Sequence, residues 1–179
     1  MKLTCARSCG LLRKIFRLYK TAFPKNERKP FFMFLWGRRQ GKYDIMAIRS
    51  EANEFLGLAI VITCGEYALL DYFAIESSKR GGGVGTRALK LIQKRYRDKK
   101  FLLEIETTYI QCDNLPQRLA RKKFYERCGM KAMDYRVMWY GNEMEILTHN
   151  CNVSFEDYRQ IQYCTIPKSV ADKVSLLDV

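Results

Sequence analysis

The sequence predicts an α+β fold, a mixed and mostly antiparallel sheet flanked by helices, with one strand, loop, helix, strand crossover. Three observations predict it. Two long runs rich in β-branched and aromatic residues, Phe55 to Thr63 and Tyr67 to Ile75, are separated only by a turn at Gly65-Glu66, the pattern of an antiparallel hairpin. A stretch with four glycines, Arg80 to Thr86, leaves the second run and opens a helical pattern, and Phe101 to Thr107 then reads as a strand. The front of the chain carries apolar residues at helical spacing. Strands gathered in a row, with a single crossover, do not build a doubly wound sheet.

In chain order, Leu11, Leu12, Ile15, Phe16, Leu18, Tyr19 and Phe23 interleave with Arg13, Lys14, Arg17 and Lys20, so the first element is an amphipathic helix that Pro24 ends. A short second helix follows Pro30 and closes at Gly41. Tyr43 to Ile48 reads as a strand and Arg49 to Asn53 as a polar turn before the hairpin. Behind the glycines, Val84, Ala88, Leu91, Ile92 and Tyr96 mark one helix face, and Asp98, Lys99 and Lys100 turn the chain into the Phe101 strand. Asn114 is placed to cap a third helix, with Gln117 completing a capping-box pattern around Pro116, and Gly129 ends that helix. Ala132 to Tyr140 and Met144 to Leu147 flank a Gly141-Asn142 turn as a second hairpin, and Ser154 with Asp157 opens a last short helix. No repeat or linker interrupts this order, so residues 1–179 are read as one domain.

A chain of 179 residues with 47% hydrophobic content can bury a core without metals or disulfides. No run approaches the roughly 20 apolar residues of a membrane span, and no membrane partner is expected. Met1 to Lys20 is basic and free of acids, as an organelle presequence is, but it runs straight into a helix ending at Pro24 and is read as part of the domain. The seven cysteines are scattered and lack C-x-x-C spacing, so they read as reduced thiols of a cytoplasmic protein. His149, the single histidine, has Cys151 nearby but no further ligand cluster, and no metal is expected. The formal net charge is +13, and residues 1–50 hold thirteen Lys or Arg against Glu27 and Asp44 alone. That imbalance fits an anionic partner and equally fits a solvated basic face.

The residues Arg80, Gly81, Gly82, Gly83, Val84, Gly85 and Thr86 can turn the backbone sharply and aim N–H groups at one anion, next to a helix N-terminus. A Walker A loop is excluded, because no Gly-Lys-Ser or Gly-Lys-Thr follows. Gly83 to Ala88 also satisfies the dinucleotide pattern G-x-G-x-x-A, with Glu104 and Glu106 near its acidic position. Against that reading, the loop follows a hairpin rather than a first strand, and little chain remains for a second half-sheet.

The same stretch spells R-x-x-G-x-G at Arg80, Gly83 and Gly85, and resembles the acetyl-CoA pyrophosphate loop of the GNAT superfamily of N-acetyltransferases. Leu70 to Ile75 resembles the strand leading into that loop, Leu102 to Glu106 the next strand, and Phe124 to Met130 (FYERCGM) the family's F-Y-E-K-x-G-F segment. Leu18 to Pro30 resembles the first helix and loop of small bacterial members. The resemblance covers most of the chain and is weakest after about Asn150.

It implies acetyl-CoA as co-substrate, direct attack of an amine on the thioester, and a small-molecule or protein amine as acceptor. Backbone N–H groups of Phe73, Ala74 and Ile75 are then candidates to bind CoA and the acetyl carbonyl, and Tyr125 to protonate the departing thiolate, the alternative for Tyr125 being a core aromatic beside Phe124. Glu104 or Asp71 would serve as base, the alternative being that these carboxylates orient a cationic amine or pair with front-end Lys or Arg. Family members often carry an asparagine where Arg118 stands, so Arg118, Arg121 and Lys122 are candidates for CoA phosphates instead, and equally for a solvated helix face. Cys128 is read as space-filling. A monomer or homodimer is expected. The alternatives are a basic adaptor for nucleic acid or acidic protein on the same fold, and an NAD(P)-binding enzyme.

Overall fold

The computed structural model describes residues 1–139 and 141–177. Tyr140, the last residue of the predicted strand from Ala132, and the final residues Asp178 and Val179 lie outside the described residues. By their internal contacts, the described residues form two compact units. The first comprises Met1–Thr63 with Leu70–Arg95, and the second Cys64–Leu69 with the chain from Tyr96 onward.

The first unit holds strands β1 (Lys2–Cys5), β2 (Tyr43–Arg49) and most of β3 (Phe55–Cys64) and β4 (Tyr67–Ile75). Its helices are α1 (Cys9–Ala22), α2 (Phe31–Arg39) and α3 (Val84–Arg95). The strands neighbour one another in the order β1-β2-β3-β4, with β1 and β3 both antiparallel to β2. All eight residues from Phe55 to Ile62 are buried, which is why β3 reads as a continuous apolar run rather than an alternating one. Helix α1 starts where the Ser8 hydroxyl accepts the Leu11 N–H, and it buries Ile15, Leu18 and Tyr19. Phe23 is already extended, as the residue before a proline must be.

The second unit holds β5 (Lys100–Glu106), β6 (Lys131–Trp139), β7 (Asn142–His149) and β8 (Ser175–Leu177), in the order β5-β7-β6-β8 with antiparallel pairings. Its helices are α4 (Leu115–Arg127), α5 (Phe155–Tyr163) and α6 (Lys168–Ala171). The chain order of β4, glycine loop, α3 and β5 is the one predicted, and the fold class is α+β.

Four expectations are corrected. The chain opens with a strand rather than a helix, because Lys2 to Cys5 pair with Arg49 to Met46. Four residues are too few to carry a readable period, and β2 supplies the pairing. The tail beyond α5 adds α6 and β8. The capping box expected at Asn114 does not form. Asn114 sits at φ −99° and ψ 12°, outside the extended region that an N-cap needs, and its Oδ1 accepts instead from Arg118 Nε at 2.9 Å and Cys112 Sγ at 3.1 Å. The box at Ser154 and Asp157 does form, with both reciprocal bonds at 3.1 Å.

Lastly, Cys64 and Cys164 are joined as a disulfide, their Cα atoms 6.1 Å apart and their positions separated by 100 residues in sequence. Cys5, Cys9, Cys112, Cys128 and Cys151 remain thiols, and Cys128 is buried as a space-filling residue would be. A link across so long a loop leaves no spacing signal in sequence, and it restricts the unfolded chain strongly. Reduction should expose seven titratable thiols instead of five and lower Tm by about 5–10 °C. An unchanged Tm in a fully reduced sample would show that the link contributes nothing to stability.

Candidate functional site

The glycine loop grows out of β4 in the first unit. Beyond Ile75, the Glu76 N–H donates to Leu56 O at 2.9 Å, Ser77–Lys79 makes one 3-10 turn, and Arg80 Nε donates to Ile75 O at 3.1 Å. Gly81, Gly82 and Gly83 follow at φ 83°, 52° and 72°. Three successive left-handed residues are tolerable only for glycine. Space is not the reason, since a Cβ on Gly81 or Gly82 would meet nothing within 4 Å.

The turn delivers the chain into α3, where Arg87 caps back onto the loop through its N–H to Gly83 O (3.0 Å) and its Nη1 to Gly82 O (2.7 Å). Val84 and Ala88 anchor the helix against Ile48, Leu56 and Ile75. Among the described residues, the N–H groups of Gly81, Gly82, Gly83, Gly85 and Thr86 have no protein acceptor. Open N–H groups at the positive end of a twelve-residue helix form a cradle for an anion.

Upstream on the same strand, Ala74 and Ile75 are buried and Phe73 packs on the cluster that anchors α3. Gly57 of β3 lies so close that a Cβ there would stand 2.3 Å from Ala74 O. Asp71 is half-buried, and both its oxygens lie 2.9 Å from Lys29 Nζ. Of the two roles left open for it besides base, pairing with a front-end lysine is the one seen.

Tyr19 and Tyr72 fix that lysine's loop. The Tyr19 hydroxyl donates to Lys29 O (2.9 Å), and the Tyr72 hydroxyl donates to Glu27 O (2.7 Å) while accepting the Lys29 N–H (3.2 Å). Burial pushes the Tyr19 phenol up to about 12, and burial with the Asp71 carboxylate beside it pushes Tyr72 higher still. These two hydroxyls therefore stay protonated donors.

In the second unit, Glu104 is half-buried on β5, and its Oε1 accepts from Tyr158 Oη and Gln162 Nε2, each at 2.9 Å. Tyr125 is buried on α4 with its ring 5.1 Å from that of Phe124. Burial pushes its phenol up to about 12, partly opposed by the Arg121 cation and assisted by Cys128. Helix α4 is tied down by ion pairs from Arg118 and Arg121 to Glu106 (2.7 and 3.2 Å) and from Lys122 to Glu145 (2.5 Å). The three cations read as candidates for CoA phosphates or for a solvated face are thus paired with carboxylates.

The structure gathers Phe73 to Ile75 and the Arg80 to Thr86 loop on one anchored strand and helix. It puts Glu104 and Tyr125 in the other unit, with different immediate neighbours. Sequence reasoning missed Lys29, Tyr158 and Gln162. The spacing of Tyr158, Ile161 and Gln162 marks one buried helix face, yet nothing local shows that it meets Glu104.

Comparisons with known proteins bear on the family and the fold. The model of the acetyltransferase (GNAT) family matches residues 12–130. A protein from Bacteroides thetaiotaomicron described as a GNAT-family acetyltransferase is similar in structure, with a TM-score of 0.73 at 20% identity, over 91% of this chain and 94% of that one. An aminoglycoside 6'-N-acetyltransferase complexed with coenzyme A gives 0.63 at 16% identity, over 86% and 100%. The ribosomal-protein-S18-alanine N-acetyltransferase from Escherichia coli gives 0.62 at 14%, over 87% and 97%. The curated proteins give no match. With the family model matching residues 12–130, well over half of its length, the chain belongs to the GNAT acetyltransferase family.

Proposed function

We propose that the protein transfers the acetyl group of acetyl-CoA to a primary amine by direct attack. The observation that carries this reading is the row of three left-handed glycines with open N–H groups at the head of α3. It fits a pyrophosphate, and one structural neighbour was solved with coenzyme A. The named neighbours act on an aminoglycoside and on a protein alanine, so both small and protein amines are in the range of this fold.

In the reaction, the amine nitrogen bonds to the thioester carbonyl carbon, the C–S bond breaks, and the electron pair leaves on sulfur. Backbone N–H groups of Phe73, Ala74 and Ile75 serve the pantetheine arm and the developing oxyanion. The amine proton is assigned to Glu104, whose Oε1 accepts from Tyr158 and Gln162, because Asp71 would have to break its Lys29 ion pair to take it. Tyr125 is assigned the role of hydrogen-bond donor to the thiolate, as the family resemblance implies. In a cytoplasmic setting Cys64 and Cys164 would stand as two thiols.

The cofactor assignment is tested by thermal shift with acetyl-CoA, CoA and NADH. Acetyl-CoA and CoA should stabilise the fold by about 2.7 kcal/mol at a hundredfold excess over Kd. Stabilisation by NADH alone would assign the loop to a dinucleotide instead. Arg80→Ala should raise the KM for acetyl-CoA about tenfold with kcat little changed, since it removes a charge-assisted phosphate contact. A fall in kcat at constant KM would move Arg80 out of the binding loop and into the chemistry.

A further inference from the structure

Helices α1 and α2 put apolar and cationic side chains together on one exposed face of the first unit. Phe32, Leu35, Trp36 and Arg39 of α2 line an open hollow. Phe32 is 68% exposed and Trp36 62%, one helical turn apart, so both rings stand in solvent side by side. Phe16 of α1 is exposed too, and its ring lies 5.0 Å from that of Phe31, which brings the α1 stripe of Arg13, Phe16, Arg17 and Lys20 up to the start of α2. Thirteen cationic residues stand against two acids in residues 1–50, and one of those acids, Asp44, pairs with Arg95. Large aromatic groups left in water among cations mark a surface that meets something both apolar and anionic.

We propose that this face docks on an anionic lipid bilayer. Phe16, Phe32 and Trp36 would enter the boundary between headgroups and acyl chains, while Arg13, Arg17, Lys20 and Arg39 stay with the lipid phosphates. A second copy of this chain is a poor occupant, because each copy carries +13 and presents the same basic stripe. A helical peptide is equally poor. Among the described residues the hollow is lined by one nine-residue helix, about 13 Å long, with no second wall to seat anchors two turns apart. The expectation of no membrane partner rested on the absence of a spanning run, and a surface contact needs none. The proposal is independent of the acetyl-transfer reading.

The test uses the full chain carrying Trp139→Phe, which leaves Trp36 as the one tryptophan of the two. It is mixed with vesicles of phosphatidylcholine, with vesicles of phosphatidylcholine and phosphatidylglycerol, and with a single-stranded polynucleotide. Co-sedimentation and a blue shift of Trp36 emission are expected with the phosphatidylglycerol vesicles only. Phe32→Ser with Trp36→Ser, and separately Arg13→Glu with Arg17→Glu, should each weaken sedimentation at least about tenfold while Tm and circular dichroism stay as in the parent. No sedimentation with anionic vesicles, equal sedimentation of the parent and both variants, or binding to the polynucleotide alone would overturn the proposal.

Discussion

Tyr125→Phe is expected to keep acetyl-CoA affinity and to lower kcat about a hundredfold, the scale of losing one donor aimed at developing charge. The phenol is pushed up to about 12 by burial, whereas a thiol leaves at about 8.5. Full proton transfer from Tyr125 to the thiolate would therefore run uphill, and in the proposed reaction the residue donates a hydrogen bond to sulfur. Its ionisation adds no alkaline limb to kcat below about pH 10, so any earlier limb belongs to another group. The same shift has a stability consequence with a definite sign. The folded-state value is raised, so the contribution is fully present below the unfolded tyrosine value of about 10, and is lost as pH rises from there through about 12. In Tyr125→Phe that stretch of the alkaline unfolding curve should be shallower. Single-turnover kinetics with saturating acetyl-CoA is the direct measurement, and a wild-type kcat would remove Tyr125 from the chemistry.

The features legible in the sequence are those set by a residue's own backbone or by a close neighbour. Gly81, Gly82 and Gly83 announced themselves because no other residue tolerates three left-handed turns in a row. Ser154 and Asp157 were visible as a cap because both partners lie within one turn. Asn114 looked equivalent and was not, because Arg118, one turn on, offers a charged donor that captures the same oxygen. Lys29 with Asp71, Arg118 with Glu106, and Cys64 with Cys164 are pairings set by the fold at long separation, and each changes the role a residue can play. The glycine turn between strand and helix was therefore legible in place and shape, while the Lys29 partner of Asp71 and the Tyr158 and Gln162 partners of Glu104 were not.

Gly57→Val should be the most damaging single substitution in the first unit, at about 4 kcal/mol of stability. The first added carbon would stand 2.3 Å from Ala74 O, 2.9 Å from Ile75 Cδ1 and 3.1 Å from Ile75 Cα. Two of those three atoms are backbone, so no rotamer change relieves the contact, and β3 must move away from β4. Ala74 and Ile75 are also the last step before the loop, and Ile75 O is where Arg80 Nε is held. Acetyl-CoA affinity should thus fall along with stability. Gly65→Ala separates packing from conformation, because Gly65 has φ 53° and open space around a Cβ. It should cost only about 1 kcal/mol, and acetyl-CoA affinity should be unchanged. Urea unfolding and calorimetric titration of both variants read the two quantities. Equal losses in the two proteins would mean that the close approach of β3 to β4 has no bearing on the loop, whereas a loss of affinity confined to Gly57→Val would tie the cradle to the spacing of those strands.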